Sequence, residues 1–236
     1  VDATGVEPLA PLTVVLEGTP VLVTVTGRAQ GDVGPAAVAE GISVLERRRE
    51  AIVPGPWSVV RQVHGGRVVT VGPGETVRDV LADGIVSAWA RARLAVLGAD
   101  CPLVGLGSPE GVMGAVHAGW RGLAAGVLEA AVDAMAALGA SEVVGLLGPC
   151  ARPECYEFQG PELAGARERL GEEVVTRRAD GSPALDLPLA VRRALERSGA
   201  RLVADLGACT VCDGAWFSHR ARRDAGRHAL VVHREP

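Results

Sequence analysis

Three side chains able to bind a metal or act as nucleophile and base stand where short apolar runs end beside small residues: His64, Cys101 and His117. Two imidazoles and a thiolate make three arms of a tetrahedral zinc site. The fourth arm is left to water or substrate, the layout of a catalytic rather than a structural metal. The same residues permit a metal-free reading, with Cys101 as nucleophile and His117 or His64 as base. A closed, non-catalytic metal module is a further alternative, in which a residue such as Asp100 fills the fourth position. Asp100 precedes the thiol and stands two residues before Pro102. It is a candidate to orient a ligand or move a proton, and equally a residue that caps a turn.

The elements around these residues follow from periodicity. His117 closes an apolar run over 111–116. From Trp120, the positions Leu123, Val127, Ala131, Ala134 and Leu138 recur at three- and four-residue steps, which predicts one helix over 120–138 stopped by Gly139. Arg121 falls in its first turn, where free N–H groups and the helix dipole favour an anion. The chain has no lysine, so arginine must supply any cationic side chain, and Arg121 is the candidate anion ligand.

Upstream, 12–17 and 21–26 predict a hairpin, and 36–52 a helix whose Arg47-Arg48-Arg49 end is solvated. Residues 57–63 predict a strand that returns over 67–71 through Gly65-Gly66. Short strands follow over 83–87 and 94–97, the latter resumed over 103–106 after Asp100-Cys101-Pro102. Downstream, the pattern predicts a strand over 143–147, a helix over 161–170 and strand character at 174–175. Asp186 caps a helix over 187–197, and strands follow over 201–206 and 228–233. Residues 209–223 read as irregular. Strands outnumber helices and alternate with them unevenly, so an α+β, mixed-sheet domain spanning 1–236 is expected.

Composition narrows the class. Hydrophobic residues make up 48% of 236 and aromatics only 3%, so the core is built from Val, Leu and Ala. A net charge of −4 argues against a general nucleic-acid surface. No apolar run is long enough for a bilayer, and no basic-then-apolar leader opens the chain, so a cytoplasmic protein is expected; a monomer is expected as well. Five cysteines without such a leader suggest reduced thiols. Cys209 and Cys212 form a lone CxxC, a poor zinc signal. Cys150 and Cys155 are too loosely spaced around Pro153 to make a convincing partner pair, so the CxxC is expected to be structural. His219, His228 and His233 show no spacing that makes a second metal site.

Taken together, Arg61-Gln62-Val63-His64-Gly65, Ala99-Asp100-Cys101-Pro102, Val116-His117-Ala118-Gly119-Trp120-Arg121-Gly122, Gly148-Pro149 with Cys155-Tyr156-Glu157, and Cys209-Thr210 with Phe217-Ser218-His219-Arg220 resemble the YfiH family. That family is also called the laccase-domain or polyphenol oxidoreductase family and the peptidoglycan editing factor family. The resemblance covers roughly 10–234. It implies an α/β/β/α layered fold and a metal site at His64, Cys101 and His117, with zinc favoured and copper as the alternative. It implies catalytic roles for those three and Asp100, and substrate contacts from Arg61, Gln62 and Arg121. The activity implied is phosphorolysis of adenosine, inosine and methylthioadenosine, so the partners are purine nucleosides and phosphate, with adenosine deamination beside it. Copper-dependent phenol oxidation is the alternative, and a role in peptidoglycan editing is attached to bacterial members. Two departures stand out. The family's early Gly-Gly-x-Ser loop and the Asn-Leu element after it have no counterpart beyond residues 27–32, and His219 stands where the family usually has Tyr.

Overall fold

The computed structural model describes residues 10–235; the outer ends of the expected domain, 1–9 and 236, lie outside them. The chain begins with β1 (Leu12–Val15), β2 (Val21–Val25), α1 (Ile42–Ile52), β3 (Ser58–Arg61), β4 (Val68–Thr70), β5 (Arg78–Leu81) and β6 (Gly84–Ser87). It continues through β7 (Leu94–Gly98), β8 (Leu103–Gly107), β9 (Met113–His117), α2 (Trp120–Ala124), α3 (Val127–Ala137) and β10 (Val144–Leu147). It ends with α4 (Pro161–Leu170), β11 (Val175–Arg177), β12 (Pro183–Leu185), α5 (Leu187–Arg197), β13 (Arg201–Asp205), α6 (His219–Arg222) and β14 (His228–Arg234).

Two six-stranded mixed sheets result, in the orders β1-β2-β14-β7-β3-β5 and β13-β10-β8-β9-β6-β4. Side chains alternate across a strand, and the apolar runs are long enough to fill both faces. On the first sheet Leu94, Val96, Leu230 and Val232 meet Ile85, Met113, Ala115 and Leu146 of the second, forming a core between the sheets. Their neighbours Ala95, Leu97, Ala229 and Val231 face outward against Leu45 and Trp57, so α1 covers the first sheet. Val86, Val104, Leu106 and Val116 face outward on the second sheet and bury Val127, Leu128, Ala131, Val191 and Ala194 of α3 and α5. This is the expected α+β fold in α/β/β/α layers.

Four local expectations are corrected. The predicted helix over 120–138 is two helices, α2 and α3, broken at Gly126, whose φ of 77° lies in the left-handed region. The predicted helix over 36–52 is a 3-10 segment, Pro35–Glu40, followed by α1, broken at Gly41 with φ 114°. Residues 67–71 do not return beside β3. β3 pairs with β5 and β7, while β4 joins the other sheet beside β6. Nor does β8 resume β7, for it crosses to the second sheet between β10 and β9. β5 and β12 escape the sequence reading because both are short and β5 is an exposed edge, without the apolar alternation that marks a half-buried strand.

Of the passages between the sheets, two carry the candidate donors, and the one from β5 to β6 carries Asp83. The chain passes from first sheet to second at 62–67 and again at 99–102, leaving the carboxyl ends of neighbouring parallel strands β3 and β7.

Candidate metal centre

His64 lies on the first crossing, Cys101 on the second, and His117 is the last residue of β9 in the opposite sheet. Their donor atoms lie within 4.8 Å of one another. His64 Nε2 stands 3.8 Å from Cys101 Sγ, and the two imidazoles meet edge to face at 4.8 Å between centroids. Donors at zinc distances of about 2.0–2.3 Å stand roughly 3.3–3.8 Å apart, so this group fits a single ion with little movement. A Cβ on Gly119 would come within 3.0 Å of His64 and 3.2 Å of the Cys101 sulfur. The small residue after His117 and Ala118 keeps that space clear.

The residue that builds the site is Asp83, which the sequence reading passed over. It is fully buried immediately before β6, whose Gly84 pairs with Val116. Asp83 Oδ1 lies 2.8 Å from His117 Nδ1. Its two oxygens also accept the backbone N–H groups of Val63, His64 and Gly65 at 3.1, 2.9 and 2.7 Å. These bonds turn the first crossing out of the strand ladder and hold His64 at φ 60°. They also leave Nε2 of His117 for the cluster, the carboxylate–histidine arrangement typical of metal ligands. Burial works against the Asp83 charge, but His117 and the Gly65 and Val63 N–H groups outweigh it and hold the carboxyl below the usual range. The signal for it was present: an acidic residue opening a strand that is buried throughout needs a partner.

The same balance operates at the donors. Burial would raise the Cys101 thiol, yet the imidazoles of His117 and His64 bring it down to about 6. Burial would lower His117, yet Asp83 and Cys101 raise it to about 9. Both shifts run in the direction that favours a thiolate beside an imidazolium, each charge stabilising the other.

A cleft of about 760 Å³ opens over the cluster. Of the other predicted site residues, Asp100 lines it with φ 101°. Its carboxylate is taken up by Thr210 Oγ1 and the Arg220 N–H, both at 2.7 Å. It therefore fastens the 209–223 segment to the cleft. Arg61 lies at the mouth beside Asp79, Nε to Oδ1 3.4 Å. Gln62 lines the cleft, but its amide bonds both the N–H and the carbonyl of Leu97, at 2.8 and 2.7 Å. It ties the two crossings together, and its polar atoms are not free for a substrate. Arg121 is corrected more strongly: it stacks on Trp120 with 4.6 Å to the ring centroid, pairs with Glu162 and is more than half exposed, away from the cleft. The five-residue α2 turns it outward.

Besides Arg61, three arginines to which the sequence reading gave no role line the cleft: Arg220, Arg223 and Arg227. Arg220 stacks over Tyr156 at 4.4 Å and donates to the Glu157 carbonyl. Arg227 donates to the carbonyls of Asp224, Ala225 and Gly226. The exposed Arg223 guanidinium has no partner among the described residues.

His219 lines the cleft, His233 bonds Thr24 at 2.9 Å, and His228 is fully buried against Trp216. The three make no metal group among the described residues. His228 has no well-formed hydrogen bond on either nitrogen, only a weak approach to the Pro149 backbone, and burial pushes it down to about 4. The unfolded chain then binds a proton near the ordinary 6.5 that the folded chain refuses. The stability it contributes is full above about 6.5 and lost as pH falls toward about 4, roughly 3 kcal/mol in all. In urea titrations from pH 7 to 4.5, His228→Leu is expected to flatten this loss; an unchanged slope would assign it to other groups.

This chain belongs to the laccase-like YfiH family. A family model described as "Multi-copper polyphenol oxidoreductase laccase" matches residues 25–235. A Streptomyces griseus protein named purine nucleoside phosphorylase ORF3 is 40% identical over 219 residues, 87% of this chain and 85% of that protein. A Streptomyces coelicolor protein, also named a purine nucleoside phosphorylase, is 38% identical over 211 residues, 87% of this chain and 86% of that one. YlmD of Geobacillus stearothermophilus shares the fold with a TM-score of 0.83 at 23% identity, over 98% of each chain. Protein NMB0706 of Neisseria meningitidis gives 0.81 at 25% identity, over 96% of this chain and 99% of that one. No helix of the described residues is long and apolar enough to cross a membrane.

Proposed function

We propose that this chain is a metal-dependent purine nucleoside phosphorylase. Phosphate adds to the anomeric carbon of the ribose as the purine leaves, giving ribose 1-phosphate and free base. The names of the relatives support an enzyme of this class. The observation that carries the reading is the pairing of two functions in one cleft: a His/His/Cys donor set at its floor and an unpartnered Arg223 at its mouth. The volume suits a nucleoside with phosphate. His64, Cys101 and His117 would hold the ion, with zinc the proposed metal because a thiolate with two imidazoles suits it. Such an ion, when bound, supplies Lewis acidity at the floor of the cleft.

The chain's own groups do the rest. Asp83 fixes the His117 ring. Arg223, with Arg220 beside it, neutralises and orients phosphate. Tyr156 is pushed up to about 12, chiefly by burial and then by the charge of Cys101. It stays protonated at neutral pH and, as a lining residue of the cleft, is the proposed hydrogen-bond donor to the departing purine. Adenosine deamination is proposed as a companion activity of the same cleft.

The test is product analysis with inosine and adenosine, with and without phosphate. Inosine should yield hypoxanthine and ribose 1-phosphate only when phosphate is present; equal cleavage without phosphate would sink the mechanism. Adenosine converted to inosine reports the companion activity. Arg223→Gln is expected to raise KM for phosphate about ten- to a hundredfold, the loss of a charge-assisted contact. Arg121→Gln should leave it unchanged, and the reverse pattern would return the anion to α2.

A further inference from the structure

Three of the four cysteines that the proposed chemistry leaves unused come together. Cys155, Cys209 and Cys212 place their sulfurs within 4.8 Å of one another, while Cys150 stays apart in the core. Cys209 is buried, Cys155 half-buried and Cys212 exposed, so the group has an inner anchor and an open side. The CxxC forms a tight turn in which the Asp213 N–H bonds the Cys209 carbonyl at 3.1 Å.

A second observation is independent of this convergence. The two segments that carry the sulfurs are tied together by backbone bonds: the Cys150 N–H bonds the Ala208 carbonyl at 3.3 Å, and the Thr210 N–H bonds the Cys150 carbonyl at 3.0 Å. The approach of Cys155 to the CxxC is therefore fixed by the chain and not by the side chains alone.

We propose that Cys155, Cys209 and Cys212 form a second metal site, a three-thiolate site for zinc. Sulfurs on one tetrahedral zinc stand about 3.8 Å apart, from bonds of about 2.3 Å, so the observed group closes on an ion with small side-chain movement. Among the described residues no fourth His, Cys, Asp or Glu joins the group, and a water on the open side completes it. Although its fourth position is open to water, three thiolates leave the ion little Lewis acidity, so the role proposed is structural rather than catalytic. The site clamps two segments of the cleft wall: Tyr156 follows Cys155, and Thr210, which holds Asp100, lies inside the CxxC. The proposal departs from the sequence reading, in which the CxxC is structural and a poor zinc signal.

The test uses the full chain with the first site removed, His64→Ala with His117→Ala, prepared reduced and loaded with cobalt(II) or zinc alone. One equivalent of cobalt should bind with strong near-ultraviolet thiolate-to-cobalt absorption. Cys155→Ser and Cys212→Ser should each abolish that absorption, and Cys150→Ser should preserve it. In the protein with all cysteines intact, zinc should slow alkylation of Cys155 and Cys212 by about tenfold or more, as bound thiolates are withdrawn from reaction, and a chelator should restore it. Absence of the cobalt band, a band indifferent to Cys155 and Cys212, or alkylation unaffected by zinc would overturn the site. No arm reads nucleoside cleavage, so this proposal and the phosphorylase reading stand or fall separately.

Discussion

Alanine at Cys101 is expected to release most of the metal held at the first site and to lower inosine phosphorolysis by about a thousandfold or more. The thiolate is the one anionic donor, set on the crossing between β7 and β8, 3.8 Å from His64 Nε2. Two imidazoles alone hold zinc weakly, and Lewis-acid stabilisation worth several kcal/mol corresponds to about three powers of ten in rate. The fold should survive. The crossing is pinned independently of the sulfur, through Asp100 to Thr210 and Arg220 and through the Ala151 N–H to the Asp100 carbonyl. Metal analysis of the purified variant, with circular dichroism as the control, decides it. A Cys101→Ala protein with full metal and full turnover would show the site to be wrongly assigned.

The second large effect is expected at Asp83. Its carboxylate serves His117 and three backbone donors from complete burial. Asp83→Ala strands all four, and breaking a buried charged pair costs about 3–5 kcal/mol. The freed His117 ring loses its fixed orientation, which should weaken metal binding about ten- to a hundredfold. Asp83→Asn separates the two effects: it keeps the shape but turns an amide N–H toward a backbone donor. Denaturant titration and zinc competition measure them. A loss of under about 1 kcal/mol with unchanged affinity would reduce Asp83 to an ordinary turn residue.

The donors His64, Cys101 and His117 were legible because His and Cys at the ends of apolar runs are recognisable by type alone. α4 and α5 were legible to the residue, since Pro161 and Asp186 mark their starts and Gly171 and Gly199 follow their ends. The crossings were not. An apolar run followed by Gly65-Gly66 and another run reads the same whether the second rejoins its own sheet or enters the opposite one, and Asp83, remote in sequence, makes the choice. Arg121 lies apart from the cleft for a related reason: its place in the first helical turn and the absence of lysine suggested an anion ligand, but Glu162 and Trp120 offered it partners on the surface. Likewise Cys155 lies far from the CxxC in sequence, and only the packing of 150–157 against 209–213 joins them.

β14 lies in the interior of the first sheet, between β2 and β7, although it is the last strand in chain order. During synthesis the β1–β2 hairpin is therefore complete long before the strand that must lie beside it, and a two-stranded hairpin is marginal in water. Its open edge waits until residues 228–234 have been made. So non-local a closure slows folding and lengthens exposure to aggregation. The crossings at 62–67 and 99–102 are rooted in that same sheet. An ion arriving early would meet a nascent chain on which the candidate ligands have not yet been brought together, so any loading would follow closure of the sheet.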